Sequence, residues 1–268
     1  MNLRAKSSNC AGPLGPEARQ ADASRKGVQS IEVGGEVLRV LCRHAESLSL
    51  KDIATEAGMT PAKVHPYLVS FCKIKLTEQD PSSGHYRLGA LALSVGLAAL
   101  DQSEAVQQAI LIMERLRERV RHTAFLTVWS QHGPTIVHMA EVDFPLETNL
   151  RVGSTMSILS TATGQVFAAF LPASVTRGLV HAELARVTRS SHERAELESK
   201  FLVDVEQVRT RRMARTLGHP LPSINAMSAP VFHDEGGLAL AITVYGPERT
   251  FDTSWLGPIA KELKRFLN

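Results

Sequence analysis

The sequence lacks any long apolar run. Among its 268 residues, no stretch approaches the roughly 20 consecutive apolar residues that a membrane-spanning helix needs. The N-terminal segment has no apolar core of the kind found in a secretory signal, and its glycine, proline, serine and mixed charges predict a disordered tail over residues 1–27. The three cysteines have neither metal-site nor disulfide spacing, which is typical of a reducing compartment. These absences favour a cytoplasmic protein without a membrane segment.

Motifs of enzyme chemistry are also missing. The chain contains no H-E-x-x-H, no G-x-S-x-G, no G-x-x-x-x-G-K-[ST] and no cluster of cysteine and histidine. Its ten histidines follow no pattern of metal ligands or catalytic partners. We therefore expect a protein that is not an enzyme, with no metal site and no cofactor.

Acidic residues are absent from one basic segment. Residues 60–76 contain Lys63, Lys73 and Lys75 and no aspartate or glutamate. The net charge of +3 is too small to indicate nucleic-acid binding by itself, but a local group of lysines can contact phosphates. The charge pattern alone fits a solvated helix face equally well.

The first third of the chain predicts three helices and a hairpin. Apolar residues recur with helical spacing from Val33 to about residue 45. Ser49 and Thr60 are predicted N-caps of two further helices, and Pro61 occupies the first position of the third helix. The stretch "LTEQDPSSGHYRLG" then predicts strand, turn and strand. This order is typical of a winged helix-turn-helix, whose third helix lies in the major groove of DNA, although small helical bundles share the pattern.

The remaining two thirds predict an α+β domain. An apolar helix with a break near Asp101 and a second helix to about Val120 come first, and the apolar stripe favours dimer contacts. Antiparallel strands flanked by helices follow, without strict βα alternation. The predicted strands are "AFLTVWSQHGPTIVHMAEV" (a hairpin), "TNLRVGST" and "SINAMSAPVFHDEGGLALAITVYGP" (a hairpin), and the predicted helices are "STATGQVFAAFL", "SSHERAELESKFLVDVEQVRTRRMART" and "FDTSWLGPIAKELKRFLN".

The stretches "SIEVGGEVLRVL", "LSLKDIATEAGMTPAKVH" and "LVSFCKIKLTEQDPSSGHYRLG" resemble the isocitrate lyase regulator (IclR) family of bacterial transcription factors. The resemblance runs from about residue 28 to the end. It implies a winged helix-turn-helix over residues 28–89, a helical linker over 90–102 and a GAF-like effector-binding domain over 103–268. The implied partners are double-stranded operator DNA, a small carboxylate effector, aromatic or short-chain, and further copies of the chain in a homodimer or homotetramer.

The predicted DNA-binding residues lie at the helix caps, on the third helix and on the wing. They are Ser49, Thr60, Ala62, Lys63, His65, Tyr67 and Arg87.

The predicted effector-binding residues lie on one helix N-terminus and two strands. The resemblance implies Ala162, Thr163, Ala226, Thr243 and Tyr245. Gly164 belongs to the same helix N-terminus, whose unpaired N–H groups suit a carboxylate, and Asn225 and Ser228 flank Ala226 on its strand. Ordinary cap and strand hydrogen bonds are the alternative role for each hydroxyl. An acidic residue usual in the loop before these strands is missing, so either His219 substitutes for it or the effector differs.

Two positions depart from the family pattern. Pro66 stands where the family usually has arginine, and a proline inside a helix removes a hydrogen bond and costs roughly 3 kcal/mol or a kink. Lys75 replaces a glycine at a left-handed position, at a cost of about 1 kcal/mol if that geometry is kept. The third helix either continues through Pro66 or begins there. The alternative function is a ligand-binding protein whose DNA binding is impaired by Pro66 and Lys75.

Overall fold

The structure is a computed structural model that describes residues 27–44, 46–142 and 148–265. All of the predicted tail except Gly27 lies outside these residues. The chain divides into two compact units, Met1–Ala99 and Leu100–Asn268, and this division falls within the predicted linker. No helix in the described ranges is long and apolar enough to cross a membrane.

The first unit is a winged helix-turn-helix, as predicted. Its buried core is aliphatic and is supplied mainly by the three helices, through residues such as Val37, Ile53 and Leu68. The elements are α1 (Gln29–Arg43), α2 (Leu50–Glu56), α3 (Pro61–Lys73) and the antiparallel wing strands β1 (Thr77–Gln79) and β2 (Tyr86–Leu88).

The predicted N-caps of this unit are confirmed. The Ser49 hydroxyl accepts a hydrogen bond from the Asp52 N–H (3.2 Å), and the Thr60 hydroxyl accepts one from the Lys63 N–H (3.4 Å). Each satisfies one of the backbone donors that the first turn of a helix leaves unpaired. Since α3 begins at Pro61, the reading in which this helix starts late, at Pro66, is wrong.

Pro66 lies inside α3 and Lys75 lies just beyond its end. The helix continues through Pro66 to Lys73, and Pro66 is exposed, so the carbonyl of Ala62 that loses its partner is on the solvent side. Lys75 has φ of 61°, the left-handed conformation that favours glycine. Both predicted departures from ideal geometry are therefore present.

The second unit is built on a five-stranded antiparallel sheet. The strand order is β4-β3-β7-β6-β5. Its strands are β3 (Thr123–Ser130), β4 (Gly133–Ala140), β5 (Ala214–Thr216), β6 (Ile224–Phe232) and β7 (Leu238–Pro247). Its helices are α5 (Glu104–Val120), α6 (Ala162–Phe170), α7 (Ala173–Val187), α8 (Ser191–Arg211) and α9 (Pro258–Lys264), and the apolar helix α4 (Ala90–Asp101) precedes them.

Helices cover both faces of this sheet. On one face α5 and α9 bury apolar side chains such as Met113 and Leu263 against Ile242. On the other face α6, α7 and α8 form a second core that includes Phe167 and Leu184. The architecture is α+β, as predicted.

Four segments differ from the sequence-based expectation. Residues 148–155, predicted as a strand, form only one isolated bridge, from Thr155 to Thr135. Residues 213–216, predicted to continue the long helix, follow a left-handed Arg212, and Ala214–Thr216 pair with β6 as the edge strand β5. Helix α7 was not predicted at all. The first helix, expected to reach about residue 45, ends at Arg43, and residue 45 lies outside the described ranges.

Candidate functional site

Helix α3 presents one polar face to solvent. Val64 and Leu68 are fully buried, whereas Ala62, Lys63 and His65 are exposed. Because a helix repeats every 3.6 residues, Pro66 lies on the same exposed face as Ala62. In helix-turn-helix proteins, this exposed face of the recognition helix is the one that meets the major groove of DNA.

Two predicted DNA-binding residues have partners within the unit. Tyr67 is half-buried, packs on Phe71 with 6.5 Å between the ring centroids, and fills the space beside Gly34. Arg87 lies on β2, and its guanidinium is 3.3 Å from the carboxylate of Glu78. The Arg87 side chain is 66% exposed, so it is free to exchange this surface ion pair for a phosphate.

A cavity lies between the N-terminus of α6 and strands β3, β6 and β7. It encloses about 380 Å³ of empty space, part of which is open to solvent. The lining residues are Phe125, Leu150, Met156, Thr161, Ala162, Thr163, Thr216, His219, Pro220, Leu221, Ile224, Ala226, Thr243 and Tyr245.

Three buried hydroxyls form a chain at the wall of this cavity. The Oγ1 atoms of Thr163 and Thr243 are 2.7 Å apart, and Thr243 Oγ1 donates to Ser228 Oγ at 2.9 Å. The sheet register explains the second bond, because Ser228 and Thr243 are direct cross-strand partners. The chain therefore runs from α6 through β7 to β6.

The first turn of α6 offers free backbone donors to the cavity. The Thr161 hydroxyl accepts from the Gly164 N–H at 2.9 Å, while no acceptor in the described part of the chain serves the N–H groups of Ala162 and Thr163. Both of these residues line the cavity. Unpaired N–H groups and the helix dipole together favour a bound anion.

The carboxylate of Glu183, on α7, holds the turn that precedes α6. It accepts hydrogen bonds from the Ser157 hydroxyl (2.6 Å) and from the N–H groups of Ile158 (3.0 Å) and Leu159 (3.3 Å). Gly164 allows α6 to approach this turn, since an added Cβ would lie 2.5 Å from the Ile158 Cα. This contact was not predictable from the sequence, because α7 was not predicted.

Tyr245 supplies an aromatic wall and a phenol. Its ring packs on Phe125 with 5.7 Å between centroids, and its hydroxyl is 3.5 Å from the Thr148 hydroxyl. Burial raises the pKa of the Tyr245 phenol above its ordinary value. The phenol is therefore protonated at neutral pH and is available as a hydrogen-bond donor.

The cavity brings together five of the eight predicted effector-binding residues, and His219 joins them. Those five are Ala162, Thr163, Ala226, Thr243 and Tyr245. Of the others, Gly164 supports the close approach of α6, Ser228 ends the hydroxyl chain, and Asn225 accepts from the Gly218 N–H at 2.9 Å. The sequence did not point to the apolar walls Phe125, Leu150 and Met156.

A winged helix-turn-helix followed by a second domain with a partly open cavity is typical of the class of ligand-responsive transcriptional regulators. The model of the IclR helix-turn-helix domain matches residues 30–81, and that of the bacterial transcriptional regulator IclR C-terminal domain matches residues 97–266. The chain belongs to the IclR family. It is a DNA-binding transcriptional regulator with a C-terminal effector domain, in a family of regulators that are not enzymes.

Individual relatives agree with this assignment. The chain is 31% identical over 223 residues to the glycerol operon regulatory protein of Streptomyces griseus, covering 83% of this chain and 86% of that protein. The crystal structure of Pseudomonas aeruginosa HmgR is 35% identical, covering 90% and 95% of the two chains with a TM-score of 0.55. An IclR homolog from Microbacterium hydrocarbonoxydans, complexed with 4-hydroxybenzoate, is 18% identical and covers 88% and 95% with a TM-score of 0.65, which shows a shared fold.

Proposed function

We propose that this regulator senses a small carboxylic acid, aromatic or short-chain, in the cavity of its second unit. The observation that carries the proposal is the pair of free N–H groups, of Ala162 and Thr163, beside the Thr163 hydroxyl. A carboxylate accepts hydrogen bonds from such donors and interacts favourably with the positive end of the α6 dipole. Ligand binding then changes the affinity of the protein for operator DNA, because the ligand binds one of two states of the protein more tightly than the other.

The opposite wall of the cavity suits the carbon skeleton of such an acid. Phe125, Leu150 and Met156 are apolar, and Tyr245 adds a ring with a donating phenol. The relative that was solved with 4-hydroxybenzoate held an aromatic carboxylate, which supports this class of ligand. His219 lies at the exposed edge of the cavity, where the family usually places an acidic residue.

For operator DNA, we propose contacts from the exposed face of α3 and from the neighbouring caps and wing. Lys63 and His65 lie on that face with Ala62, and Ser49 and Thr60 lie at the N-termini of α2 and α3. Arg87 breaks its ion pair with Glu78 and binds a DNA phosphate instead. Tyr67 acts chiefly by packing α3 against α1, beside Gly34. Because operator DNA lies in the bacterial cytoplasm, we propose that the protein functions there.

We propose a homodimer or homotetramer that uses α4. The described part of the chain buries none of its residues, and Leu91, Leu93, Val95 and Leu97 are all large, apolar and exposed. Its only charged residue is Asp101. A helix that is apolar all round is normally buried, so a second copy of the same helix is the partner that this sequence fits.

Effector binding is tested by calorimetric titration of the full chain with 4-hydroxybenzoate and with acetate. Thr243→Val is expected to weaken binding about tenfold, because it removes a hydroxyl that lines the cavity and leaves Thr163 without its partner. Thr127→Val is the matched control: Thr127 is buried on β3, lies outside the cavity lining, and its hydroxyl has no hydrogen-bond partner in the described residues. Equal affinities for Thr243→Val and the unaltered chain would contradict the proposed site.

The role of α4 is tested by sedimentation. A Leu93→Glu, Leu97→Glu double variant is expected to sediment as a smaller species than the unaltered chain, because burying two unpaired carboxylates in the interface is unfavourable. Leu111→Glu is the control, since Leu111 is 70% exposed on α5, outside α4. An unchanged oligomeric state of the double variant would rule out α4 as the interface.

A further inference from the structure

A second, strongly polar cavity lies on the α8 side of the second unit. It encloses about 540 Å³ of empty space, part of it open to solvent, between the C-terminal half of α8, strand β5 and the loop before α9. Its lining residues are Gln165, Asp204, Gln207, Val208, Arg211, Met213, Ala214, Arg215 and Trp255. None of them lines the first cavity, at the N-terminus of α6, which is called the effector cavity from here on. We infer that this cavity is a binding site for a small phosphate-like anion.

Two arginines of this cavity are held in place by one tryptophan. The guanidinium carbon of Arg215 is 4.4 Å from the centroid of the Trp255 ring, and that of Arg211 is 5.1 Å away. Both distances fall within the range of cation–π contacts. Stacking fixes the two planar groups before any ligand arrives, so less side-chain freedom is lost on binding.

Among the described residues, no carboxylate neutralises either guanidinium. Arg215 donates to the Thr253 carbonyl (2.6 Å) and Arg211 donates to the Gln207 amide oxygen (2.8 Å), and no acid in the described part of the chain lies within 4 Å of either. Arg209, two residues earlier on α8, differs because it is paired with Glu206. Each guanidinium has five N–H donors, so Arg211 and Arg215 keep most of theirs for a ligand.

The charges of the lining favour one anion of limited size. Arg211 and Arg215 contribute two positive charges and Asp204 one negative charge, which leaves a net charge of +1. Arg215 is partly buried, so its charge is screened less than that of a fully exposed arginine. Paired guanidinium groups match the oxygens of a phosphate, and Gln165 and Gln207 add neutral amides.

The anion site and the effector cavity share two elements. Gln165 lies on α6, whose first turn lines the effector cavity, and Arg215 immediately precedes Thr216, which also lines it. An anion that fixes α6 and β5 also fixes part of the effector wall. Occupation of one site is therefore expected to change affinity at the other, and by the same factor in both directions.

The test uses the full chain with Trp129→Phe, which leaves Trp255 as the single tryptophan. Trp129 lies 5.7 Å from the Phe167 ring in another part of the core, so phenylalanine keeps an aromatic partner there. Inorganic phosphate is titrated against sodium chloride at constant ionic strength, and Trp255 fluorescence and binding heat are both recorded. We expect saturable phosphate binding, weakened about tenfold in Arg215→Gln and in Arg211→Gln.

Arg212→Gln is the matched control. Arg212 belongs to the same group of arginines, but it lies over Phe232 (4.7 Å) and does not line the cavity. Unchanged phosphate affinity in Arg212→Gln, with losses in the other two variants, supports the site. Equal losses in all three variants, or no saturation at constant ionic strength, would overturn it. A third result would also overturn it: the parent chain does not bind phosphate, and Arg215→Gln sediments differently from the parent chain. That result would indicate that Arg215 contacts a second copy of the chain.

Discussion

Replacing Gly164 with alanine is expected to lower the melting temperature of the second unit by about 2–12 °C and to abolish high-affinity effector binding. The added Cβ would lie 2.5 Å from the Ile158 Cα and 2.7 Å from the Ile158 carbonyl oxygen. These are backbone atoms held by Glu183, so no flexible side chain can move aside. Either α6 or the preceding turn must shift, and the N–H groups of Ala162 and Thr163 shift with it.

Calorimetry on the full chain, with and without 4-hydroxybenzoate, measures both effects of Gly164→Ala. Gly178→Ala is the matched control, because Gly178 lies in α7 and a Cβ there would meet nothing within 4 Å. It is expected to raise stability by about 0.5–1 kcal/mol. A Gly164→Ala variant with unchanged melting temperature and unchanged ligand affinity would show that the turn and α6 are not rigidly packed.

Replacing Pro66 with arginine is expected to tighten operator binding about tenfold and to stabilise the first unit. Position 66 lies on the exposed face of α3, so an arginine there can reach a phosphate or a base edge. The substitution also restores the N–H that the Ala62 carbonyl lacks, which is worth up to about 3 kcal/mol. One more phosphate contact makes the log–log salt dependence of affinity steeper by about 0.9.

Pro66→Ala separates the two effects of this substitution. It restores the backbone hydrogen bond without adding a charge, so its stability gain is expected to match that of Pro66→Arg while its salt dependence stays that of the unaltered chain. The measurement is titration of DNA from upstream of the protein's own gene at several salt concentrations. If the unaltered chain showed no preference for that DNA and Pro66→Arg did, the natural protein would be better described as a ligand-binding relative with impaired DNA binding. Equal affinities for all three chains would exclude a DNA contact at position 66.

Local patterns predicted the elements that are stabilised locally. The caps at Ser49 and Thr60 and the hairpin of β6 and β7 follow from residue types within a few positions of each other. Helix α7 was missed because its buried stripe is narrow and includes a threonine: Thr176, Val180 and Leu184. Strand β5 was missed because pairing with β6, a long-range interaction, overrides the helical pattern of residues 213–216.

The candidate cavity was predictable only in part, for a similar reason. The hydroxyls of Thr243 and Tyr245 are two residues apart on a strand, so the sequence alone places them on one face. Phe125 comes from β3, whereas Leu150 and Met156 come from the loop before α6, so they meet Phe125 only in the folded unit. Residues 148–155 illustrate the limit: their composition suits a strand, but the available pairing with β4 is reduced to a single bridge.

The hydroxyl chain of Thr163, Thr243 and Ser228 runs in one direction. Thr243 donates its single hydroxyl hydrogen to Ser228, so in its contact with Thr163 it accepts and Thr163 is the donor. The Thr163 hydrogen is therefore already used, and its oxygen can only accept a hydrogen bond from a ligand. The N–H groups of Ala162 and Thr163 can only donate, so a bound carboxylate is held by these two groups and not by the hydroxyl chain.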